Sequence, residues 1–160
     1  MRSTRRKLGL VVTACLAVLL SVSPAVANGA EVTKGSFAPF ADGPGLGYDS
    51  ISGTATMVRT ASGETIVIVV ASGLTQGLTY GSHVHLQPCS AGNAGGHYSF
   101  GFAVPGGALN GSEIWPGPFT ANEGGNAVGF TKVGATAGPE AVSVVIHAPG
   151  GAKIACTDLS

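Results

Sequence analysis

Glycine and proline punctuate this chain so densely, 26 and 9 residues among 160, that long helices have little room. Glycine interrupts regular backbone through its conformational freedom, proline through its locked φ and missing N–H. Between the interruptions lie short runs rich in Val, Ile and Thr, such as Ile66-Val67-Ile68-Val69-Val70 and Val142-Ser143-Val144-Val145-Ile146. No long stretch repeats apolar residues at a 3.6-residue period. The pattern predicts an all-β sandwich or barrel. Expected strands are Glu31–Phe37, Ser50–Thr60, Glu64–Ser72, Tyr80–Leu86, Asn126–Val133, Ala141–His147 and Lys153–Cys156, with an eighth between Gly95 and Ala103. Ala38–Gly47 and Val104–Phe119 read as loops.

The N-terminus has the three parts of a secretory signal peptide: Arg5-Arg6-Lys7, an apolar stretch from Leu8 to Leu20, and Ala25-Val26-Ala27, with cleavage expected after Ala27. The stretch is too short to cross a bilayer comfortably. Residues 1–27 are therefore expected as a signal peptide and 28–160 as one exported β domain, secreted or held in the cell envelope or periplasm. Thr4-Arg5-Arg6-Lys7-Leu8 also has a twin-arginine look, which would export the protein already folded. Cys15 follows a loose lipoprotein-like box, Val12-Thr13-Ala14, but the apolar run continues past it. Arg2, Arg5, Arg6 and Lys7 leave with the leader, so the mature domain carries four basic against eight acidic residues, a formal charge of −4. That balance suits neither nucleic acid nor an anionic membrane surface, and no membrane contact beyond export is expected.

The four histidines are His83, His85, His97 and His147. Alternate residues of a strand project to one face, so His83 and His85 can grip one metal ion side by side. His147 ends a second β-branched run and can bring a ligand from another part of the same sheet. His97 follows Gly95-Gly96, which suits a loop folded back over the site. Four neutral imidazoles in a near-planar set favour copper(II), and three suffice for copper(I). With Cys15 in the leader, Cys89 and Cys156 are the pair left in the mature chain, and in an exported protein they read as one disulfide.

These residues resemble the copper/zinc superoxide dismutase family. The matching elements are Gly81-Ser82-His83-Val84-His85, Cys89, Gly96-His97-Tyr98, Val145-Ile146-His147-Ala148 and Lys153-Ile154-Ala155-Cys156, in order, over the chain from about residue 33 to the end. The resemblance implies an eight-stranded Greek-key β-barrel, grouped with immunoglobulin-like sandwiches. It makes His83, His85 and His147 copper ligands, His97 the counterpart of the copper–zinc bridging histidine, and Cys89–Cys156 the disulfide. Two departures stand out. No histidine lies between His97 and His147, so the family's zinc site is not expected; the acidic residue nearest its aspartate position is Glu113, expected instead to hydrogen-bond His97. Only Ala148 to Ala155 separate His147 from Cys156, and Lys153 stands where the family has its substrate-guiding arginine. Both departures resemble the copper-only, extracellular branch.

The implied function is an exported copper-dependent superoxide dismutase acting on superoxide anion, with His97 and Lys153 as catalytic residues. Trp115 and Tyr98 read as packing residues over the site loop. The alternatives are a non-catalytic copper-binding or delivery protein on the same scaffold and, less well supplied with a base, a zinc hydrolase with three histidines and Glu113.

Overall fold

The computed structural model describes residues 29–160; the signal-peptide reading of residues 1–27, and Cys15 with it, lies outside the described residues. The strands are β1 (Glu31–Ser36), β2 (Ala38–Pro39), β3 (Ser52–Arg59), β4 (Thr65–Ser72), β5 (Thr79–His85), β6 (Phe119–Thr120), β7 (Ala127–Val133), β8 (Ser143–His147) and β9 (Lys153–Asp158). Among the described residues they form two antiparallel sheets, ordered β1-β3-β4-β7 and β2-β9-β8-β5-β6, not the closed barrel expected.

Strand alternation builds the core. The apolar run in β4 buries Val67, Val69 and Ala71 while Ile68 and Val70 face out, as a period of two requires. Met57, Val67 and Val69 of the first sheet join Val84, Val144, Ile146 and Ile154 of the second in one cluster. Each such side chain contributes about 1.5–3 kcal/mol, whereas a solvent-exposed ion pair such as Glu64–Lys132 is screened by water and adds little. The apolar core therefore holds the sheets together. Every residue of β8 is buried: Val144 and Ile146 lie in the core, and Val145 packs with Ala94, Cys156, Phe40 and Cys89 in a second cluster. β8, in the middle of the second sheet, is thus covered on both faces.

The expected eighth strand between Gly95 and Ala103 is absent as a strand. His97 makes one isolated bridge to His85, and Ser99 one to Glu113. The reason is local: Gly92, Asn93, Ala94 and Gly95 have φ of 53°, 54°, 60° and 65°, a left-handed turn that cannot run straight into a ladder. At the non-glycines Asn93 and Ala94 this costs about 1–2 kcal/mol each, so surrounding contacts must hold the turn. The two-residue strands β2 and β6 fall inside or at the end of segments expected as loops, while β9 runs two residues past Cys156.

The Cys89–Cys156 disulfide is formed, with Cα atoms 5.8 Å apart across 67 residues of sequence. Beside it, Cys89 N–H donates to Asp158 Oδ1 at 2.7 Å. Together they fasten the 86–97 loop to β9. Replacing both cysteines with serine is expected to lower the unfolding free energy by about 4 kcal/mol on the chain-entropy account, read from urea titrations. A loss below about 1 kcal/mol would mean that the loop's other contacts already restrain the chain.

Candidate metal centre

The centre lies on the outer face of the second sheet. In the β5–β8 ladder Gly81 pairs with His147, His83 with Val145 and His85 with Ser143, and cross-strand partners share a face. His83, His85 and His147 therefore project together, opposite the inward Val84, Val144 and Ile146. The β8–β9 ladder shifts register between Ile146 and His147, an irregularity of the kind that re-aims a side chain at a sheet's end. Gly81 leaves the space between His83 and His147 open.

The remaining edge of β5 brings in the other groups. Val84 N–H donates to the Ile114 carbonyl at 3.1 Å, and the Val84 carbonyl accepts from Tyr98 N–H at 2.8 Å. These bonds set His97 and the Glu113–Trp115 segment beside the histidine pair. Because Ile114 points into the core, Glu113 and Trp115 turn to the opposite side, toward the imidazoles.

One ring nitrogen from each of His83, His85, His97 and His147 lies within 4.8 Å of the others. Hydrogen bonds fix the tautomers, because a carbonyl or carboxylate can only accept. His147 Nδ1–H donates to the Gly151 carbonyl at 2.9 Å. His85 Nδ1–H reaches the Ala94 and Gly95 carbonyls, each at 3.3 Å. His97 Nδ1–H donates to Glu113 Oε2 at 2.8 Å, the contact expected from sequence. In all three the Nε2 lone pair is left for the cluster. His83 contributes Nδ1, which, like His85 Nε2 and His147 Nε2, is buried without a hydrogen-bond partner among the described residues. Buried lone pairs without partners are costly, and lone pairs that converge are what a metal ion takes up.

Burial favours the neutral form of three of the rings, His83, His85 and His147. Desolvation, aided by neighbouring imidazoles, pushes His83 down to about 3. Desolvation and then the Lys153 charge push His85 down to about 4. His147 is lowered mainly by desolvation, against its bond to Gly151. Metal binding therefore displaces few protons from these ligands at neutral pH.

Lys153 pairs with His147 across the β8–β9 ladder. Its ammonium donates to the Asn93 and Gly95 carbonyls, so it braces the left-handed turn. A cleft of about 430 Å³ opens onto His83, His97 and His147, walled by Tyr80, Pro118 and Pro149. Lys153 does not line it, and among the described residues none of the lining side chains is acidic or a lysine or arginine.

Sequence reading missed the part played by Trp115. Its Nε1–H donates to Glu113 Oε2 at 2.7 Å, and its ring lies against His83 with centroids 4.3 Å apart. The Glu113-Ile114-Trp115 alternation about a core isoleucine was the available signal. Tyr98 does pack, buried in the core, with its hydroxyl accepting from Gly138 N–H at 2.9 Å.

The lowered histidines predict the acid stability of the metal-free protein. Below the ordinary imidazole value of 6.5 the unfolded chain takes up protons that the folded rings refuse until about 4 (His85) and 3 (His83). Stability is therefore full above about pH 6.5 and falls as pH drops, with a slope of roughly two to three protons per molecule. Urea midpoints measured from pH 7 to 4 check this; a flat profile would mean that the rings are not withheld from protons.

Comparison with protein-family models gives no match, and no curated protein matches the chain. The centre is characterised by its own groups: four imidazoles, a carboxylate and an indole.

Proposed function

We propose that the protein is an exported, copper-dependent superoxide dismutase, on a Greek-key relative of the copper/zinc superoxide dismutase barrel that is opened into two sheets. The observation that carries this reading is the donor set: four imidazoles with nitrogens within 4.8 Å, three of those nitrogens buried without partners. An all-imidazole site fits copper, which accepts four such donors as Cu(II) and three as Cu(I). The disulfide suits an oxidising compartment, and the leader pattern supports export.

Copper held by His83, His85, His97 and His147 would supply the one-electron chemistry that dismutation needs. Overall, two superoxide anions and two protons become one oxygen and one hydrogen peroxide. His83, His85 and His147 would hold the metal in both oxidation states, since strand geometry restrains all three and the Gly151, Ala94 and Gly95 carbonyls restrain His147 and His85. His97, held by a carboxylate where His85 and His147 are held by carbonyls, would be the fourth donor. Its Nδ1–H stays on the ring and donates to Glu113 Oε2, so Nε2, beside the cleft that admits solvent, is the nitrogen that would carry a proton for the reaction. Lys153 acts on a small anion through its charge, not by touching it. That charge is felt at His85 and His147 although the ammonium is bound to loop carbonyls.

The position of Lys153 also favours a second reading, a copper-handling protein that binds the metal without turnover, because the cleft itself lacks a cationic anchor. Superoxide decay by pulse radiolysis, with one copper per chain, separates the two. A second-order rate approaching about 10⁸–10⁹ M⁻¹s⁻¹, lost in His147→Ala, is the dismutase outcome. Tight stoichiometric binding with a rate no better than loosely bound copper is the copper-handling outcome.

A further inference from the structure

Each ligand ring needs something to orient it, and three of the four have a hydrogen bond for this. His85 has the Ala94 and Gly95 carbonyls, His147 the Gly151 carbonyl, and His97 the Glu113 carboxylate. His83 has none: among the described residues its Nδ1 is without a partner, and its ring instead packs against His97, Trp115 and His147, at centroid distances of 4.0, 4.3 and 4.7 Å, Trp115 being the one of the three that is not itself a ligand. The same Trp115 reaches the support of His97, because its Nε1–H and His97 Nδ1–H meet on one oxygen, Glu113 Oε2, at 2.7 and 2.8 Å.

We propose that Trp115 is a positioning residue for the metal centre, orienting two of its four ligands at once: His83 by ring contact and His97 by fixing the Glu113 carboxylate that holds it. A carboxylate bonded only to His97 could swing with that ring. Anchored by a second donor on the same oxygen, Glu113 becomes a fixed point, and the His97 plane is set so that Nε2 faces the other donors. Glu113 is itself largely buried at 9 % exposure, and its backbone exchanges both hydrogen bonds with Ala108, so the anchor rests on held chain. The chain's single tryptophan thereby links two sides of the site. The inference rests on the four imidazoles being a metal site.

The test uses Trp115→Phe, which retains a ring against His83 but has no donor, and Trp115→Ala, which has neither, each also in a Glu113→Ala background. Cu(II) affinity by competition, the Cu(II) electron paramagnetic resonance spectrum and, without metal, solvent exchange of the His97 Nδ1 proton by NMR are compared with the parent. Trp115→Phe is expected to weaken Cu(II) binding about tenfold and Trp115→Ala toward a hundredfold. The spectrum should broaden and the His97 proton should exchange faster. In the Glu113→Ala background the Phe substitution should cost less than about twofold, because the two groups act in series. Parent-like affinity, spectrum and exchange in Trp115→Phe would overturn the proposal, as would an equal cost in both backgrounds. A parent that fails to bind one equivalent of Cu(II) would instead defeat the metal-site reading, and proton exchange in the metal-free chains would still decide whether Trp115 fixes His97. Should Trp115→Phe not fold, replacing the tryptophan by benzothienylalanine removes only the N–H and allows the same comparison.

Discussion

Three imidazole nitrogens, His83 Nδ1, His85 Nε2 and His147 Nε2, sit buried with no hydrogen bond among the described residues to satisfy them, and the surrounding structure is arranged to keep them so. Each unmet polar atom costs about 1–3 kcal/mol. Such a cluster persists only where its surroundings leave the rings no better conformation. The strands fix the spacing of His83, His85 and His147, and carbonyl acceptors fix two of their tautomers. Nothing in this set is charged, since desolvation holds His83 and His85 far below the usual imidazole range.

The cover over the sheet is as much a part of the site as the sheet. The left-handed Gly92–Gly95 turn aims the Ala94 and Gly95 carbonyls at His85 and the Asn93 and Gly95 carbonyls at Lys153. The disulfide and Cys89 N–H to Asp158 tie its root to β9. Strain at Asn93 and Ala94 is thus held by a covalent link, a charge-assisted pair of bonds and the complete burial of Ala94. Lys153 stands at a position that the family resemblance associates with guiding an anion, yet its donors are engaged by the loop.

Much of this was legible in the sequence because it follows from period two. β-branched runs marked β4 and β8, segments between glycine and proline breaks placed the other five longer strands, and the His-x-His spacing placed two ligands on one face. What was not legible depends on contacts between distant segments. The Gly95–Ala103 strand fails because φ turns positive at Asn93 and Ala94, residue types that do not announce it as glycine does. Trp115 looked like packing because its donor role needs Glu113 and His97 brought together by Val84, whose N–H and carbonyl bind Ile114 and Tyr98. The closed barrel was expected by analogy, whereas the strands pair into two sheets.

The central claim is that four imidazoles hold one copper ion, and X-ray absorption of the protein loaded with one equivalent of copper tests it most directly. Four imidazole nitrogens around Cu(II), falling to three on reduction to Cu(I), is the result this account predicts. One or two imidazoles completed by water or carboxylate oxygens in the oxidised protein would contradict it, because the converging lone pairs would then serve some purpose other than copper.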